Sequence, residues 1–299
     1  MDSSESFLKT VIERLRGYID DSDFDAKYSD QYLMQHVVMP SLVDVQARLN
    51  LNADNPVYLE YNLTTVAGQE HYVLPPCVGE VLRVVQYNQV GGGDDGMPIR
   101  EWIPKGTFSM AGPVWTLQGN MISFRPFPTS NDPITIIYIT NGDMRPHYCT
   151  SSVPGTLEAG LSTFVMADTP TLGLRDKRDQ AYAGQVLRVF GTSKHEERVI
   201  TAFDPVTKRA TVARPFTLTA TQYAYEVTPP NLQSMTEAVT LAATIKLGTW
   251  RKVSQAQHGL LVEQYRMAIK TITDHLANKQ ARTGKSWQKD TRDNPDWRP

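Results

Sequence analysis

Cysteine is scarce in this 299-residue chain: Cys77 and Cys149 are the only two, and neither sits in a metal-binding or redox spacing. A disulfide framework is excluded, and two free thiols in a reducing compartment are expected. No apolar run is long enough to cross a bilayer, so no membrane partner is expected. The N-terminus lacks the basic-then-apolar layout of a secretory signal. Without secretion the Asn62-Leu-Thr64 sequon carries no meaning. The net charge of −2 is too small to single out nucleic acid or any other partner. No internal repeat stands out at a fixed period, so solenoids and propellers are not indicated.

Motifs that carry chemistry are missing too. Gly284-Lys285-Ser286 is half of a phosphate-binding loop, but Lys279 stands where its first Gly is needed and the segment follows a helical pattern, not a strand. Asp21, Asp23 and Asp25 imitate the start of a calcium loop, but Ala26 replaces the required Gly and Tyr32 the closing Glu. The six histidines do not cluster, and no motif gives His147 and Cys149 an acidic partner. Glu196 and Glu197 are adjacent, so in a strand they point to opposite faces. The residues therefore predict no enzyme, no metal and no cofactor.

What the chain does have is a block of short β-patterned runs from His71 to Thr140. His71-Tyr-Val-Leu-Pro-Pro, Val81–Tyr87, Val114–Leu117, Met121–Pro128 and Ile134–Thr140 are rich in β-branched and aromatic residues and closed by Gly, Pro or Asn. Gly119-Asn120 predicts a tight hairpin turn. Val57 to Val66 alternates as a half-buried strand does, and Gly91–Gly96 reads as a flexible loop. Tyr72, Tyr87, Trp102, Trp115, Phe124 and Tyr138 alternate within these strands, which favours core packing over a stacking platform.

Helical patterns flank this block. Ser3 or Ser4 is the expected cap of a first helix, with Phe7, Leu8, Val11, Ile12, Leu15, Tyr18 and Ile19 on its broad apolar face. Ser29 caps a second helix to about Leu49, which Pro40 should kink or split. After residue 142 comes a pattern-poor stretch, 143–160, read as a boundary, and then strands at 162–166, 185–190, 198–203, 209–213 and 223–227. They predict an inserted small β-barrel or sandwich over 150–230, separable at its Pro/Gly-rich flanks. From Leu232 two further helical stripes run to about residue 278. The expected fold is α+β. A helical bundle forms from both chain ends, a central antiparallel β region occupies the rest of 1–142, 150–230 is the insert, 231–278 completes the bundle, and 279–299 is an extended basic tail.

Charge is unevenly spread. Residues 1–60 hold 5 Lys/Arg and 11 Asp/Glu, a net of −6, whereas residues 246–299 hold 11 and 5, a net of +6. Such asymmetry suits head-to-tail contacts between copies or a basic tail that docks on something acidic. The tail carries Lys279, Arg282, Lys285, Lys289, Arg292 and Arg298 with two tryptophans, Trp287 and Trp297, that have little around them to pack on.

The order of elements, with Tyr72-Val-Leu-Pro75, Val81–Tyr87, Gly119–Pro128 leading into Ile134–Tyr138, and a basic tail after paired helices, resembles the portal-to-tail adaptor (head–tail connector) proteins of short-tailed phages. The resemblance covers about residues 5–142 and 232–285. The 150–230 insert departs from it, although Gly184–Gly191, Val199–Asp204 and Ala210–Phe216 resemble β modules found in phage virion proteins. The resemblance implies a non-enzymatic virion protein of the neck, made in the host cytoplasm and assembled as a homo-oligomeric, dodecameric ring. Its partners would be the portal, the tail or nozzle and tail-fibre proteins, and double-stranded DNA passing non-specifically through the lumen. Residues 279–299 would be the portal-docking arm. Two other readings stay open: a β-rich tail component that binds or cleaves a surface glycan, and a DNA-binding protein using the basic C-terminus.

Overall fold

A computed structural model of the chain describes residues 6–19, 28–51, 58–86, 97–101, 113–126, 128–192, 194–230, 232–251 and 255–283. The expected cap at Ser3 or Ser4, the acidic run from Asp20, the Gly91–Gly96 loop, Tyr87 and Trp102 lie outside these residues. The fold combines helices and strands in an α+β arrangement, one β part of which is a closed six-stranded barrel.

Helix α1 spans Phe7–Ile19 and is capped by Ser6, whose Oγ accepts from the Lys9 amide at 3.3 Å. Ser29 caps α2 (Asp30–Leu33) through the Tyr32 amide, as its sequence position predicts. The effect of Pro40 is specific. A π-helical turn, Met34–Val38, separates α2 from α3 (Met39–Leu51). Proline lacks an N–H and its ring crowds the carbonyl four residues back, so one wider turn absorbs it without ending the helix. Ser41 Oγ then donates to the Val37 carbonyl at 2.7 Å.

The first sheet holds β1 (Tyr58–Thr64), β2 (His71–Val73), β3 (Val78–Gln86), β4 (Met97–Glu101), β5 (Val114–Gln118), β6 (Met121–Arg125) and β7 (Pro133–Thr140), in the order β1-β7-β3-β4-β5-β6-β2. It is not purely antiparallel: β4 and β5 pair in parallel, Arg100 opposite Val114. Gly119, at φ +60°, turns β5 into β6. In β1, Leu59, Tyr61 and Leu63 point inward while Glu60, Asn62 and Thr64 face out. Tyr72, Trp115, Phe124 and Tyr138 are all buried in this core.

The second sheet holds β8 (His147–Cys149), β9 (Gly155–Leu157), β10 (Thr163–Val165), β11 (Leu172–Gly173), β12 (Val186–Phe190), β13 (His195–Asp204), β14 (Arg209–Val212) and β15 (Gln222–Thr228). Strands β15, β12, β13, β14, β10 and β9 pair in turn, and β9 pairs back on β15, closing the barrel. Closure removes free edges. Its interior holds Phe164, Leu187, Val189, Ile200, Phe203, Tyr225 and Val227. The pattern-poor stretch 143–160 is not merely a connection, because β8 and β9 lie in it. They are too short to show an alternation, and their pairing with β15 fixes them.

Helices α4 (Leu232–Arg251) and α5 (Gln255–Thr283) follow. α4 is buried nearly all round, as a central helix must be. Thr236, Thr240 and Thr244 each donate to the carbonyl four residues back, so their hydroxyls need no other partner. One apolar cluster joins Leu8, Val11, Ile12 and Leu15 of α1 and Val45 of α3 to Val239 and Leu247 of α4 and Tyr265 and Ile272 of α5.

Candidate functional site

The elements with most to say about function are α5 and the joint that ties the helices to the barrel. α5 runs to Thr283, so Lys279 and Arg282 lie on a helix and not in an extended tail. The run from Ala277 to Arg282 consists mostly of good helix formers, and the apolar stripe alone hides that continuation. Lys285, Trp287, Lys289, Arg292, Trp297 and Arg298 lie outside the described residues. Among its described side chains, α5 is buried on one side only. Tyr265 and Ile272 are buried against α3 and α4, with the Arg48 guanidinium 5.3 Å from the centre of the Tyr265 ring. On the other side Leu260 and Met267 are 61% and 58% exposed.

The joint is built on Glu226. This β15 residue is fully buried on the outer face of the barrel, and its carboxylate accepts from Leu8 N at 2.7 Å, Phe7 N at 3.2 Å and Ser6 Oγ at 3.0 Å. These are the otherwise unpaired amides at the start of α1. Register puts Arg188 of β12 between Glu226 on one side and Glu197 of β13 on the other. Arg188 Nη1 is 3.8 Å from Glu226, and its Nε donates to Glu197 at 2.7 Å. The same guanidinium lies 3.8 Å from the centre of the Phe7 ring. Burial raises the Glu226 pKa, against the pull of the Leu8 and Phe7 amides and of Arg188. Glu196, next to Glu197 along β13, points the other way, to Lys194, Arg198 and Thr217, as adjacent strand residues do.

Two further ties close the joint. Gln31 of α2 donates to the Gly173 carbonyl at 2.8 Å and accepts from its amide at 2.9 Å, covering the β11 edge as another strand would. Arg178 bridges Asp143, just after β7, and Asp176, between β11 and β12; Asp176 is also 3.5 Å from Arg145. Burial works against ionisation of Asp176, but the bonds from Arg178 outweigh it and hold its carboxyl below the usual range. His147 is fully buried between the rings of Tyr182 and Tyr225, and burial pushes its pKa down to about 4.

The perturbed groups are spread over the core and the joint, and most are held by structural partners. Among the described residues no group of His, Cys, Asp and Glu could hold a metal ion, and no helix is long and apolar enough to cross a membrane. Cys77 and Cys149 are buried free thiols whose pKa values burial pushes up, Cys77 to about 11, which keeps both thiols protonated at neutral pH.

The SU10 adaptor protein family matches residues 7–167, from the start of α1 past β10, more than half of the chain. The chain belongs to this family. Among curated proteins, none matches it. As an SU10-type adaptor it is a phage structural protein associated with the virion. The matched segment takes in α1–α3, the whole first sheet and the first strands of the barrel. Glu226, Arg188 and α5 lie beyond it. Glu226 and Arg188 were not singled out by sequence reading. Their one signal is a lone charge of opposite sign in mid-strand, in Val-Leu-Arg-Val-Phe and in Tyr-Glu-Val.

Proposed function

We propose that this SU10-type adaptor is the subunit of a homo-oligomeric, dodecameric ring that joins the capsid portal to the tail of a short-tailed phage and lines the DNA passage. The family match over residues 7–167 carries this reading. In it, the helices of the two chain ends work as one bundle on the portal side, and the two β parts face the tail, its nozzle and fibre proteins. Residues 1–142, 150–230, 231–278 and 279–299 act as bundle and first sheet, barrel, bundle completion and arm. No catalysis is required: symmetry, interface area and a channel that lets DNA slide do the work. A conduit is served by a net charge of −2, because each phosphate gripped adds salt-dependent affinity.

The arm after α5 is the portal-docking element. It offers Trp287 and Trp297 as anchors, with Lys279 and Arg282 at the end of α5 and Lys285, Lys289, Arg292 and Arg298 after it steering the approach. The test is electron microscopy of purified protein mixed with portal rings. A second ring should appear below the portal with the full chain and vanish when residues 284–299 are removed, a truncation that leaves α5 whole. A portal that never gains density from the full chain would overturn the reading.

A further inference from the structure

We propose that α5 of one copy docks in a groove between α1 and α4 of the next copy, a contact that rests on the ring reading above and specifies its interface. The groove has a volume of about 390 Å³ and is lined by Arg14, Gly17, Tyr18, Glu237 and Thr240. Gly17 makes it a notch: a Cβ built there would meet nothing within 4 Å. Tyr18 beside it, expected on the apolar face of α1, is instead 54% exposed. Arg14 on one wall and Glu237 on the other are exposed and have no ion-pair partner among the described residues.

The complementary surface is on α5. Leu260, Glu263, Met267 and Lys270 recur at helical spacing, so they share one face. It is opposite to the side that Tyr265 and Ile272 bury. That side fixes α5 on its own core, so Leu260 and Met267 face away from it and cannot reach the groove of the same copy. Glu263 contacts only the exposed Arg266, at 3.6 Å, and Lys270 has no ion-pair partner among the described residues. The chain thus presents two apolar knobs flanked by an acid and a base, and elsewhere an open notch flanked by a base and an acid. Glu263 suits Arg14, and Lys270 suits Glu237. Two different patches in contact make a head-to-tail interface, which closes into a ring when its rotation allows.

The test is disulfide trapping between copies of the full chain. The native thiols, Cys77 and Cys149, are fully buried and do not interfere. Gly17→Cys and Met267→Cys are prepared separately, then mixed at high concentration and on portal rings. Linked dimers should form in the mixture and not in either variant alone, and the double variant should give a ladder of linked species. Arg14→Glu should cut trapping roughly tenfold, and Glu263→Arg in the other copy should restore it. Equal trapping in the single variants would overturn the head-to-tail contact. Rings that form without trapping would overturn this interface and leave the adaptor ring standing. A chain that stays monomeric, alone and with portal, would overturn the ring reading and this contact together.

Discussion

Replacing Glu226 with alanine tests the joint most directly. The substitution removes the acceptor of the Phe7 and Leu8 amides and of Ser6 Oγ, all in buried or part-buried surroundings. A buried donor left without a partner costs about 1–3 kcal/mol, and loss of a helix cap costs about 0.5–2 kcal/mol. These overlap, because the amides are the capped groups. Arg188 keeps Glu197, so it adds little. The expected loss is therefore about 3 kcal/mol, or about 1 M in urea midpoint for an m-value of about 3 kcal/mol/M. Glu226→Gln keeps a carbonyl oxygen for the Leu8 amide and sheds a charge whose burial is itself unfavourable, so it should cost about half as much. Hydrogen exchange locates the damage: the amides of α1 should lose protection well before those of β12 and β15. An alanine variant within about 0.5 kcal/mol of the parent, a margin that surface substitutions reach, would refute the argument. So would equal loss of protection in the barrel and α1, since a cap acts on its own helix.

Other outcomes are expected. His147 is neutral in the fold with a pKa of about 4, so between that value and its unfolded pKa of about 6.5 only the unfolded chain takes up its proton; stability should fall by about 3 kcal/mol as pH drops through that window, and His147→Leu should flatten this part of the profile in denaturation at stepped pH. Gly173 has φ +83°, and a Cβ there would lie 2.5 Å from the Pro146 carbonyl oxygen, so Gly173→Ala should cost about 2–4 kcal/mol by thermal or chemical unfolding. Trp287→Ala should weaken portal binding by about 1–3 kcal/mol in a titration while leaving the circular dichroism spectrum unchanged, and unaltered affinity would remove Trp287 as an anchor.

Local order was the most readable part of the sequence. The alternation of Leu59, Tyr61 and Leu63, the Gly119-Asn120 turn, the Ser29 cap and the central strands of the barrel were all legible, because each is fixed by residues within a few positions of one another. The start of α1 was not. Its cap is Ser6, and the acceptor that completes it, Glu226, is 220 residues away in sequence. No local pattern marks which mid-strand charge will face a helix end. β8, β9 and β11 were missed for the same reason: two or three residues carry too little propensity, and pairing with β8 or β15 decides them. Pro40 marks a disturbance in the sequence, but the remedy, a π turn, depends on packing on both sides of the helix. The groove and the α5 stripe were legible only in part. The exposed side of Leu260 and Met267 follows from the side that α3 and α4 cover.

The three ties bear on what an adaptor must do. A protein that joins two assemblies transmits force and register only if its ends cannot turn freely against each other. Pro and Gly at the flanks of residues 150–230 suggest an insert that a linker could replace. The contacts argue for coupling instead. Removing residues 150–230 would strip α1 of Glu226, α2 of the Gly173 backbone that Gln31 grips, and Asp143 of Arg178. Each tie is polar, directional and at least partly buried, so it specifies an angle where an apolar contact would tolerate sliding. The barrel therefore helps set the pose of the first helix, one of the two that form the groove assigned to the neighbouring copy. A substitution at Glu226, which accepts from the first amides of α1, would therefore reach that groove through α1.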